Sequence, residues 1–71
     1  MMQALSNAKP GENYTIKWMF GVPAVLEFLH SHNVEEGSTI RLVQRCRNSV
    51  IIGVQDARFV LENEVADRIK V

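Results

Sequence analysis

Residues 10–20, Pro10-Gly11-Glu12-Asn13-Tyr14-Thr15-Ile16-Lys17-Trp18-Met19-Phe20, set an acidic Gly turn directly before an alternating run. The device recurs at Glu35-Glu36-Gly37 before Thr39 to Arg45. Gly supplies the positive φ that a tight reversal needs, and Pro restricts its neighbours, so both are turns with a mechanism. Tyr14, Ile16, Trp18 and Phe20 alternate with Thr15, Lys17 and Met19, the period of two of a half-buried strand. The first set is expected to face a core, and Met19 to face out. A chain punctuated this way reads as a small strand-built barrel with little interior to spare for an active site.

Beyond Phe20, Gly21 breaks the strand and Pro23 stands where a first helical position tolerates a missing N–H. The spacing predicts a short helix over Pro23–His32. Its apolar stripe is Val22, Val25, Leu26 and Leu29, with Glu27 and Ser31 on the far side. Asn33 tolerates the left-handed conformation and caps it. From Thr39 the strand period returns, with Ile40 and Leu42 inward and Arg41 outward, while Val43 breaks the alternation as at a bulge or on a covered face. The polar run Cys46-Arg47-Asn48-Ser49 then reverses the chain into Val50-Ile51-Ile52-Gly53-Val54, a hairpin. Gly53 inside a strand marks a bulge or a close approach. Asp56 opens another turn, Ala57 to Leu61 reads as a fourth strand, Glu62 to Asp67 as a single helical turn, and Arg68 to Val71 as a short closing strand. The fold class is therefore mainly β: an SH3-like, five-stranded, partly open barrel, with one helix between strands 1 and 2 and a helical turn before the last strand.

Composition narrows what such a barrel can do. The 71 residues make one domain, 1–71, with residues 1–10 expected as a partly ordered lead-in. At this size folding buries only about 60% of the chain's surface, so nearly all apolar residues are needed in the core. Eight Lys and Arg balance eight Asp and Glu, so no whole-protein field steers the chain to nucleic acid or to an anionic membrane. The single cysteine, Cys46, forms no internal disulfide, which fits a reducing cytoplasm. No apolar run approaches the roughly 20 residues of a membrane span, and the N-terminus has no basic and apolar signal pattern, so direct membrane insertion is not expected.

Several side chains invite a chemical reading. His30 and His32, with Glu27, Cys46 and Asp56, are the metal suspects. On a helix, residues two apart point about 200° apart, so the two imidazoles flank the stripe from opposite sides and cannot share one ion; on an extended segment they would share a face. Cys46 lies between Arg45 and Arg47, whose charges favour a thiolate, but no histidine is near it in sequence and a solvent-facing loop cysteine is the simpler reading. Arg41, Arg45, Arg47 and Arg58, with Trp18 or Tyr14, could mimic an oligonucleotide-binding barrel face. The aromatics fall in the core phase and acids are interspersed, so charge guarding a strand edge is expected instead. Met19, Val43 and Ile51 are outward or ambiguous apolar positions, and their convergence, with Arg45 and Arg47 beside them, would mark a partner-binding surface. No phosphate-cradling Gly-rich loop, catalytic carboxylate pair or Ser-His-Asp set can be assembled, so an enzyme is not expected.

From Leu5 to Val71 the chain resembles the FeoA family, small SH3-like cytosolic proteins of bacterial ferrous iron transport. The matching landmarks are Pro10-Gly11-Glu12, Leu29, Gly37, Val50-Ile51-Ile52-Gly53-Val54, and the tail pattern Arg58, Leu61, Ala66, Ile69, Val71. Where the family commonly has Leu-Gly-Leu and then Pro-Gly, this chain has His32-Asn33-Val34 and Glu36-Gly37. Asn33 preserves the left-handed cap and Gly37 the turn. The resemblance implies a non-enzymatic accessory protein that docks on the cytosolic GTP-binding domain of the FeoB permease, monomeric or weakly self-associating. The alternative is a metal-responsive SH3-like regulatory domain that binds a divalent transition metal such as Fe2+ or Mn2+ through His30, His32 or Glu27. The family carries no sharp ligand motif to transfer, and no resident cofactor is expected.

Overall fold

The first strand-like run does not stay in one sheet. In the computed structural model, which describes residues 2–71, Asn13–Thr15 (β1) pairs antiparallel with Thr39–Arg45 (β3), whereas Trp18–Met19 (β2) pairs with Ile69–Lys70 (β6). The handover lies at Ile16 and Lys17: the Ile16 N–H donates to the Ser38 carbonyl at 2.9 Å and the Lys17 N–H to the Lys70 carbonyl at 2.8 Å. A period of two holds only within a continuous strand, and Ile16 and Lys17 interrupt this one. Ile16 and Met19, three apart, are therefore both buried, while Trp18 and Phe20 are 49% and 41% exposed. This corrects the expectation of Trp18 and Phe20 facing the core and Met19 facing out. The expected first strand becomes two, giving six strands among the described residues.

Pro23–Ser31 forms α1, one residue shorter than expected, with Pro23 at its start. Its end is a Schellman motif: the Val34 N–H reaches the Leu29 carbonyl at 2.9 Å and the Asn33 N–H the His30 carbonyl at 3.1 Å, with Asn33 at φ 67. Leu29 and Val34 are both buried, supplying the apolar contact of that motif. Val25 and Leu26 are half-buried, but Val22 lies outside the stripe at 55% exposure, because it precedes the first helical turn.

After Gly37 (φ 91) the chain runs as a meander of β3, Ser49–Val54 (β4) and Ala57–Glu62 (β5). The sheet order is β1-β3-β4-β5, with β2-β6 as a second, separate pair, so the barrel is partly open. The register passes from Leu42↔Ile52 to Gln44↔Ile51, which makes Val43 the extra residue of a bulge. A turn at Gln55 (φ 54) and Asp56 links β4 to β5. Asn63–Ala66 (α2) then leads to β6.

The N-terminal segment is better tied in than the expected lead-in over 1–10; residue 1 lies outside the described residues. Gln3 and Val71 are joined by backbone hydrogen bonds, Ala4 bridges to Lys70, and Leu5–Asn7 makes one 3-10 turn. Leu5 and Ala8 are fully buried, and the nearly buried Ser6 hydroxyl donates to the Asp67 carboxylate. They join Ile16, Ile40, Leu42, Val50, Ile52 and Ile69 in one core. Among the described residues no helix is long and apolar enough to cross a membrane.

Candidate docking surface

Strand alternation gives the four-stranded sheet two unlike faces. Ile40, Leu42, Val50, Ile52, Val54 and Leu61 point into the core, so the intervening residues point outward. Asn13, Arg41, Gly53 and Arg58 stand in register across all four strands on that outer face. One step along lies an apolar row, in which Ile51 pairs with Val60 and the bulged Val43 stands beside them. Val43 and Ile51 are half-buried and Val60 is 67% exposed.

Of the residues expected at a partner surface, the structure brings Val43 and Ile51 together here. Arg45 and Arg47 are exposed at the adjoining end of the β3–β4 hairpin, flanking the exposed Cys46. Met19 lies on β2, buried, and presents no side chain to this surface. Val60 was missed, although the outward phase Arg58, Val60, Glu62 was available in the sequence. An open groove of about 660 Å³ runs along the cationic row, lined by Arg41, Gly53, Asp56 and Arg58 among others.

The four arginines do not share a site with the aromatics named beside them. Trp18 is on the other sheet, stacked on Phe20 with ring centroids 4.8 Å apart. The Tyr14 hydroxyl accepts from the Lys9 N–H at 2.9 Å. A second apolar feature is a cleft of about 100 Å³ between α1 and α2, walled by Phe20, Val22, Leu26 and Val65, with Glu64 and Arg68 also lining it.

His32 packs between Phe28 and Phe59, at 4.4 and 4.9 Å between centroids. Its Nδ1 is 2.8 Å from the Phe28 carbonyl, which can only accept, so Nδ1–H is the donor of that pair. His30 and Glu27 are exposed on α1. Among the described residues no three His, Cys, Asp or Glu side chains gather as a metal site, and Cys46 and Asp56 stand apart on different turns.

Set beside known proteins, this geometry has clear relatives. A crystal structure of an iron uptake regulatory protein (FeoA) superposes with a TM-score of 0.87 at 26% identity, covering 100% of this chain and 96% of that one. A manganese-dependent transcriptional repressor superposes with a TM-score of 0.85 at 19% identity, and shows the shared fold alone. The chain covers 99% of its own length there but only 40% of the repressor's. No curated protein sequence matches this chain. The FeoA domain family matches residues 3–71, and the chain belongs to that family.

Proposed function

We propose that this chain is a non-enzymatic accessory protein of ferrous iron uptake, which docks in the cytoplasm on the GTP-binding domain of a FeoB-type permease and supports or regulates transport. Membership of the FeoA family across residues 3–71 carries this reading. The docking surface is the outer sheet face, where Val43, Ile51 and Val60 form an apolar row with Arg45 and Arg47 at its end. Two physical points support it. Fifteen of the nineteen Val, Leu and Ile side chains lie in or against the core, and three of the other four, Val43, Ile51 and Val60, turn outward on one face, which marks a place where surface is covered by something else. A patch this small suits a transient interface with a partner, in which a few residues carry most of the affinity.

The test is retention of the chain on immobilised permease GTP-binding domain. Wild type retained, with no nucleotide hydrolysis by the chain itself, is the expected result. No retention at high micromolar concentration overturns the reading. Metal sensing has weaker support, since the likeness to the repressor is one of fold. Titration with ferrous or manganous ion that shifts the amides of Glu27, His30 and His32, and loses those shifts on His→Ala change, would replace the adaptor with a sensor.

A further inference from the structure

Gly53 is a strand glycine for which neither φ nor crowding demands the missing side chain. Its φ is not in the left-handed region occupied by Gly11, Gly21 and Gly37. A Cβ built on it would meet Val43 Cγ2 at 3.5 Å and Arg41 Cβ at 3.9 Å, which is ordinary van der Waals contact. Gly within a strand destabilises it, and with φ and steric crowding set aside, its uses here are relief at the neighbouring Val43 bulge and close approach by another molecule, of which the second leaves a bare floor on the outer face. Arg41 and Arg58 flank this bare floor on the two neighbouring strands, in register. Adjacent strands are about 4.8 Å apart, so the two Cα atoms are separated by roughly 10 Å, and both guanidinium forks can converge over Gly53. Asp56 is the one carboxylate lining the same groove, which leaves it two cations to one anion.

We propose that the Arg41–Gly53–Arg58 row is a carboxylate-reading site for an acidic segment of a protein partner, one Asp or Glu seated over Gly53 and its apolar neighbour laid on Val43, Ile51 and Val60. Arginine forks match a carboxylate bidentately, and a Cβ at position 53 would lift the ligand off the floor. The adjoining apolar row selects a protein segment over a small anion, which has no use for it. The proposal deepens the adaptor reading and rests on its outer-face surface, but names the chemistry that the partner must present.

The test uses the isotope-labelled full chain with three probes: a ten-residue peptide alternating Glu and Leu, its Gln and Leu counterpart, and inorganic pyrophosphate. The acidic peptide is expected to shift the amides of Arg41, Gly53 and Arg58 together with Val43, Ile51 and Val60. Affinity should fall at least tenfold for the Gln peptide and for the Arg41→Gln/Arg58→Gln double variant, whose surface changes leave the fold intact. Gly53→Ala should keep its dispersed spectrum and bind at least threefold more weakly; wild-type binding by that variant overturns the proposal. So does pyrophosphate that binds the row more tightly than the acidic peptide. If the permease domain is retained equally by wild type and the double variant, the carboxylate site fails and the adaptor stands. If the peptide binds the row but the permease domain is not retained, the adaptor reading fails and the site stands.

Discussion

Gln3 and Val71 exchange both backbone hydrogen bonds, each 2.9 Å, and Ala4 bridges to Lys70, so the segment before the 3-10 turn runs antiparallel to the end of the chain at β6. Two residues on from Gln3, Leu5 is fully buried, and Ser6 reaches the Asp67 carboxylate next to α2. The N-terminal turn thus packs against α2 and carries Leu5 into the core. Leu5→Ala should destabilise the fold by about 2–5 kcal/mol, by lost transfer energy and a residual cavity. Against a total of roughly 4–11 kcal/mol for a domain of this size, that is a large fraction. Thermal unfolding followed by circular dichroism should show a drop of at least about 8 °C. A drop under about 2 °C would mean the segment only rests on the core.

The helix end makes a sharper demand on residue type. Asn33 holds φ 67 while its N–H and that of Val34 close the Schellman pair. Asn33→Gly should leave stability within about 0.5 kcal/mol, because Gly reaches the same conformation at no steric cost. Asn33→Val should cost about 1–2 kcal/mol, since a β-branched side chain resists the left-handed region. Equal denaturation midpoints for the two variants would show that the cap does not constrain this turn.

These residues also mark where sequence suffices and where it does not. Asn33 was legible because its conformational tolerance is a local property, as were the polar reversal at Cys46–Ser49 and the broken alternation at Val43. The inward set Trp18 and Phe20 was misread because the change of partner at Ile16–Lys17 depends on β3 and β6, which are far along the chain. The N-terminal turn was missed for the same reason: nothing within residues 1–10 announces the cavity that Leu5 fills. At the surface, Val43 and Ile51 stood out singly, but their meeting with Val60 is set by the β4–β5 register, which no single strand contains.

Gly37 and Gly53 should respond oppositely to the same change. Gly37 has φ 91, and its N–H donates to the Ile16 carbonyl at 2.8 Å, so Gly37→Ala forces a side chain into a left-handed turn and should cost about 1 kcal/mol or more. Gly53 has ordinary strand geometry with room for a methyl group, so Gly53→Ala should be neutral or stabilise by up to about 1 kcal/mol. Urea unfolding of both variants checks the pair. Destabilisation by Gly53→Ala comparable to that of Gly37→Ala would make Gly53 a structural requirement of the Val43 bulge.

Two exposed apolar regions compete as the docking face, and a charge placed in each separates them. Val60 is 67% exposed on the outer sheet face and Trp18 is 49% exposed on β2, beside Phe20. Val60→Asp should cost about 1 kcal/mol, through lower strand propensity and loss of the cross-strand pair with Ile51, and leave the protein folded, because the aspartate stays in water in the free protein. On docking it would be desolvated against an apolar partner surface, an expense that should weaken binding to the permease GTP-binding domain at least tenfold, or about 1.4 kcal/mol. Trp18→Asp should leave that affinity unchanged within about twofold, a difference near 0.4 kcal/mol. The reverse pattern, measured by titration calorimetry on both folded variants, would move the docking face from the four-stranded sheet to the Trp18–Phe20 corner and the cleft between α1 and α2.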